Sequence, residues 1–123
     1  MCAGDTVSVD LMVKLPGHQE TLHWHGILQK GTQYMDGVPM ITQCPIEFGQ
    51  TFRYLFNVPT ANTYFYHSHS GVNKANGVAG ALVSRQPKWK DPHGVLYDVD
   101  RAQDTIVLQV SNNQFCFVYL HAP

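Results

Sequence analysis

The chain is expected to be all-β, an antiparallel sandwich or barrel, on three observations. Short runs rich in β-branched and aromatic residues recur along it, Gly and Pro turns separate them, and helix signals are weak throughout. With 123 residues and 44% apolar content, there is material for a single domain with one core. In "TVSVDLMV", Val7, Val9, Leu11 and Val13 alternate with Ser8, Asp10 and Met12, the period-two pattern of a half-buried strand. "LPGHQE" then supplies a Pro-Gly turn before "TLHWHG" resumes extended structure. "TFRYLFNV" places Phe52, Tyr54 and Phe56 on one face and Thr51, Arg53 and Leu55 on the other. "NTYFYHSH", "GVAGALVSR", "DTIVLQV" and "FCFVYL" are the remaining strand candidates. "RQPKWKDPHGVLYDVDRAQD" gathers two prolines and most of the late charge, and reads as a long surface excursion.

Charge and cysteine content exclude several classes of function. Eight Lys and Arg against nine Asp and Glu leave a net charge of -1 with no basic run, so no nucleic acid is expected as a partner. No apolar stretch approaches the roughly 20 residues of a membrane-spanning helix, so no membrane partner is expected either. The start, "MCAGDTVSVD", has neither the charged nor the apolar region of a secretory signal. Cys2, Cys44 and Cys116 form no C-x-x-C pair, and their odd number leaves at least one thiol unpaired within the chain.

The informative residues are histidines. Of seven, four are set out as two H-x-H pairs, His23/His25 in "TLHWHG" and His67/His69 in "YFYHSHSG". On a strand, residues i and i+2 share a face. His23 and His25 are therefore expected to project together with Trp24 on the opposite side, and His67 and His69 together with Ser68 opposite. Two such strands side by side would converge four imidazoles on one small volume. A single histidine, or a single H-x-H, is ordinarily a surface or satisfied core feature. Two pairs on two predicted strands make a metal site the better explanation. Imidazole suits copper, zinc, iron and nickel, and the lack of clustered carboxylates argues against calcium and magnesium.

Three kinds of metal site fail on named residues. Gly17, His23 and His25 have the spacing of a first cupin motif, but Gln29 and Lys30 stand where its glutamate belongs. A zinc hydrolase of the H-x-H-x-D-H kind needs an aspartate where Ile27 stands. A mononuclear blue-copper site needs a cysteine followed closely by histidine and methionine. "PIEFG" after Cys44 and "FVYLHAP" after Cys116 do not supply that set.

The stretch "TLHWHGILQKGTQYMDGVPMITQCPIEFGQTFRYLFNV", followed by "YFYHSHSG" and "GVAGALVSR", resembles the first cupredoxin (plastocyanin-like) domain of a laccase-type multicopper oxidase. "MDGVPMITQCPI" and "KDPHGVLYDVD" look most like arthropod members, and the likeness runs from about "CAGDTVSVD" to "DTIVLQV". The resemblance implies a cupredoxin-like Greek-key sandwich or barrel over residues 1–110, lacking its first strand, with a divergent tail over 111–123. It implies copper as the metal, His23 as a type-2 ligand, and His25, His67 and His69 as type-3 ligands. Asp36, in "MDG", matches a family acid near the type-2 copper, which suggests a proton relay; its other reading is a turn residue before Gly37. His18, His93 and His121 match no ligand position; His18 reads as a turn residue and His93 as part of the surface loop.

In the family, the three-copper cluster reduces dioxygen to water with electrons from a phenolic donor, and it takes eight histidines. Four are present here, so the remaining ligands and the type-1 copper would come from cupredoxin domains outside this chain. Cys44 matches a family cysteine whose partner would also lie outside, which predicts a free thiol. The resemblance implies an extracellular protein. Three readings follow: the N-terminal piece of an oxidase, inactive alone; a stand-alone copper-sequestering domain; or a non-functional truncated product.

Overall fold

A computed structural model describes residues 1–110 of the chain. Alternation decides its first pairing. Val7 and Leu11 are buried in β1 (Thr6–Met12) while Ser8, Asp10 and Met12 face solvent. This strand pairs antiparallel with β5 (Thr51–Asn57), in which Tyr54 and Phe56 turn inward and Thr51, Arg53 and Leu55 outward. On the outer face Asp10 is opposite Arg53, and the guanidinium holds both carboxylate oxygens at 2.6 and 2.7 Å. β2 (Gln19–Glu20) and β4 (Ile46–Glu47) form a two-residue ladder beside them.

The second layer is an antiparallel sheet of β3 (Leu22–His25), β6 (Asn62–Ser68) and β7 (Ala79–Ser84), with β6 in the centre. Sequence neighbours thus part company: β1 joins β5 while β3 joins β6, the crossover that makes the arrangement Greek-key-like. Tyr66 lies across Gly80, where any Cβ would collide with its phenol, so the glycine is required by close packing.

Trp24 fastens the two layers together. It is 2% exposed, with ring centroids 5.3 Å from Tyr54, 4.8 Å from Phe56 and 6.1 Å from Tyr66. Aromatic pairs at such distances contribute about 0.5–1.5 kcal/mol each beyond area burial. Leu22, Ile46, Val58, Tyr64 and Leu82 complete the core around them. Tyr54 is wholly buried, and its phenol oxygen accepts the Leu22 N–H at 3.0 Å, which fixes the start of β3.

The expected strand in "DTIVLQV" does not form. Ala102–Asp104 is a 3-10 turn, and residues 105–110 are exposed and unpaired. β propensity there is high, but a strand needs a partner ladder, and Ile106, Val107 and Leu108 meet none among the described residues. The excursion from 86 to 101 contains no strand, as its prolines and charges suggested. "FCFVYL" lies outside the described residues. No helix among the described residues is long and apolar enough to cross a membrane.

Candidate metal centre

The pairing of β3 with β6 sets His23 directly opposite His67, Trp24 opposite Tyr66 and His25 opposite Phe65. Because side chains alternate, Trp24 enters the core while His23 and His25 emerge together. His25 lies flat against Phe65, with centroids 4.5 Å apart and planes inclined by 25°. Lys74 Nζ is 5.4 Å from the centroid of that same ring. This stack supports one face of His25, the most exposed ring of its strand. Phe65 had no mark in the sequence, since only the register places it beside His25.

β6 ends at Ser68, so His69 stands one residue past the ladder. Its backbone N–H donates to the Thr21 carbonyl at 3.1 Å, which extends the pairing by one step. Its ring centroid is 5.6 Å from that of His23 and 6.1 Å from that of His67.

One ring nitrogen each from His23, His25 and His67 lies within 4.8 Å of the others. His69 borders this group without joining it. The shortest approach is 3.3 Å, between His25 Nδ1 and His67 Nε2. Two imidazole nitrogens on one tetrahedral ion, each at about 2.0–2.1 Å, stand about 3.3 Å apart. Without an ion, the same spacing lets one ring N–H donate to the other.

Backbone carbonyls set the tautomers. His23 Nδ1–H donates to the Asp36 carbonyl at 2.8 Å, and His67 Nδ1–H donates to the Ser68 carbonyl at 2.9 Å. Each bond leaves Nε2 as the lone-pair nitrogen and holds the ring plane, the support that metal-binding histidines ordinarily have. Burial lowers the His67 pKa below 6.5, helped by the charges of Lys74, His23 and His25 and opposed by the Ser68 bond. The ring is therefore neutral at physiological pH and free to ligate.

Asp36 follows the 3-10 turn Gln33–Met35 and places its Oδ1 3.4 Å from His23 Nδ1. The loop comes this close because Gly37, at φ +77°, lets the backbone lie against the Leu22 carbonyl. His18 follows a turn closed by its N–H to the Leu15 carbonyl, and His93 sits in the exposed loop, so neither joins the cluster. His121 lies outside the described residues. Cys2 and Cys44 are exposed free thiols; Cys116 lies outside the described residues.

A β-sandwich that converges imidazoles from two adjacent strands, with no carboxylate in the group, defines a domain suited to a borderline or soft transition metal. The family described as multicopper oxidase matches residues 1–88, and the chain belongs to that family. It is 47% identical over 88 residues to an L-ascorbate oxidase of Cucurbita maxima, covering 72% of this chain and 15% of that protein. It is 40% identical over 109 residues to a laccase of Trametes hirsuta, covering 85% and 20% respectively. Among solved structures it is similar to Fet3p, a multicopper oxidase that functions in iron import. The TM-score is 0.69 at 36% identity, over 80% of this chain and 18% of that one. The chain thus spans about a fifth or less of the length of these relatives. Copper is the metal these relatives imply, and the all-imidazole donor set with carbonyl-fixed tautomers fits it.

Proposed function

We propose that this chain is the first cupredoxin domain of a laccase-like multicopper oxidase and supplies half of a trinuclear copper cluster. His23 would hold the type-2 ion, and His25, His67 and His69 the type-3 pair. The observation that carries this reading is the 3.3 Å approach of His25 Nδ1 to His67 Nε2, which suits joint ligation of a single ion. Bound copper would supply the one-electron redox couple by which dioxygen is reduced to water at the expense of a phenolic donor. This chain's residues orient that chemistry. The Asp36 and Ser68 carbonyls fix the Nδ1–H tautomers of His23 and His67, and Phe65 supports one face of His25. Asp36 Oδ1, beside His23 and partly open to solvent, can take up and return a proton at the cluster's edge.

On this reading residues 1–110 form the domain and 111–123 a divergent tail. The remaining ligands and the type-1 copper belong to further cupredoxin domains, and the parent protein works outside the cell. The isolated chain, with four of eight ligands, has no oxidase turnover. A second reading, copper sequestration without turnover, is favoured by the three nitrogens already gathered within 4.8 Å.

Copper binding by the purified chain tests both, followed by calorimetry and electron paramagnetic resonance beside a His25→Ala/His67→Ala variant. Tight binding that the variant loses supports a preformed half-site. Equal affinity in the two proteins would sink the assignment of His25 and His67. Appreciable phenol oxidation by the isolated chain would overturn the expected inactivity.

A further inference from the structure

One buried acid lies outside the histidine cluster. Glu20 is 5% exposed, and among the described residues no cation pairs with it. An unpaired carboxylate in a protein interior is costly unless hydrogen bonds replace its lost water. Here they do. Oε1 accepts the Thr21 N–H at 2.9 Å and the Ser68 hydroxyl at 2.5 Å, and Oε2 accepts the Asn73 amide at 2.9 Å.

The partners of this carboxylate surround the second histidine pair. Ser68 is the residue between His67 and His69, and its Oγ also accepts the Ser70 N–H at 3.1 Å. Thr21 is the residue whose carbonyl receives the His69 N–H. Asn73 lies in the turns that run from Gly71 to Gly77 and lead back into β7. The sheet ladder stops at Ser68, so His69 has one main-chain bond to hold it and no strand beyond. Glu20 spans that gap from the β2 side.

We propose that Glu20 is a positioning residue: its carboxylate clamps the Ser68–Asn73 turn to the start of β3 and so fixes His69, and with it His67, for metal ligation. The proposal rests on the reading of these histidines as copper ligands. It explains why a buried acid precedes the first H-x-H pair and why serine, able to donate and accept at once, separates the second.

The test compares Glu20→Gln, Glu20→Ala and Ser68→Ala in the full chain with two measurements. The first is amide hydrogen exchange at His69 and Ser70 in the metal-free protein. The second is copper(II) affinity and paramagnetic resonance. Gln retains one acceptor oxygen for Thr21 and Ser68, and the Asn73 amide can turn to meet its NH2 group, so this variant should rescue the clamp. We expect Glu20→Ala and Ser68→Ala to speed exchange at His69 and Ser70 by tenfold or more, with Trp24 protection unchanged. Copper should bind them at least tenfold more weakly with an altered spectrum, and Glu20→Gln should stay within about threefold of the parent on both measures. If exchange at His69 changes less than twofold in both Ala variants, the clamp is refuted. Equal acceleration across all strands would overturn it too, by showing a general loss of stability. Should Glu20→Ala fail to fold, Ser68→Ala decides alone. A parent chain that binds no copper would sink the copper reading, and the exchange comparison would still decide the clamp.

Discussion

Replacing Gly37 by Ala should damage the chain through one identifiable collision. Gly37 is buried at φ +77°, and a Cβ there would fall inside the Leu22 carbonyl and stand 3.0 Å from His23 N. Both atoms belong to the backbone of β3, so no side chain can swing aside. Gly17 supplies the control: its φ is +74°, and nothing lies within 4 Å of its Cβ position. A left-handed conformation costs an L-residue about 1–2 kcal/mol, and the unfolded-state gain from Gly→Ala is about 0.4–1 kcal/mol. Both terms are common to the two sites and cancel in their difference. Overpacking, about 1–3 kcal/mol, applies only at Gly37. Gly37→Ala should therefore be about 1–3 kcal/mol less stable than Gly17→Ala in urea unfolding followed by circular dichroism. It should also pull the Asp36 carbonyl off His23 and free that ring's tautomer, visible in the imidazole nitrogen shifts. A difference below about 0.5 kcal/mol between the two variants would refute the collision argument.

Other perturbations probe the core and the site. Tyr54→Phe leaves the buried Leu22 N–H without its acceptor, and should lower stability by about 1–3 kcal/mol in the same unfolding assay. The Tyr54 phenol, pushed up to about 12 chiefly by burial, should stay protonated in an ultraviolet titration carried past the ordinary tyrosine value of about 10. His67 sits below its ordinary 6.5 when folded, so the unfolded metal-free chain binds more protons in acid. Its contribution is fully present above pH 6.5 and is lost as pH falls from there through the lowered folded value, so His67→Gln should flatten that slope. Glu20 acts in the opposite sense. Burial raises its carboxyl above 4.5 against hydrogen bonds from Ser68, Thr21 and Asn73, so stability declines as pH rises through the raised value. Glu20→Gln should remove that decline, and an unchanged profile between this variant and the parent would contradict the burial argument.

Much of the fold was legible because a half-buried strand writes its burial into a two-residue period. The inward set of β1 and of β5 follows that rule residue by residue. The same rule predicted the common face of His23 and His25 and the inward turn of Trp24. It misled at "DTIVLQV", where apolar and β-branched residues satisfy propensity but find no ladder. His69 lies one residue past the end of β6, yet its ring still stands 5.6 Å from that of His23, beside the nitrogen group.

The sequence by itself determined that this is a β protein with two histidine pairs, because residue type and local period suffice for both; the link to multicopper oxidases came from the resemblance of its motifs. Only the tertiary structure decided which histidines meet. His23 faces His67 and His25 reaches His67 Nε2 through one choice of register between β3 and β6. A slip of one residue would turn the histidines of one strand away from those of the other. The supporting groups were equally hidden. Phe65 and the Asp36 carbonyl reach the histidines across strands and turns, and the Glu20 carboxylate reaches Ser68 between the second pair. Contacts between residues as far apart in the chain as Glu20 and Ser68 leave no periodic trace, because packing brings them together and local preference does not.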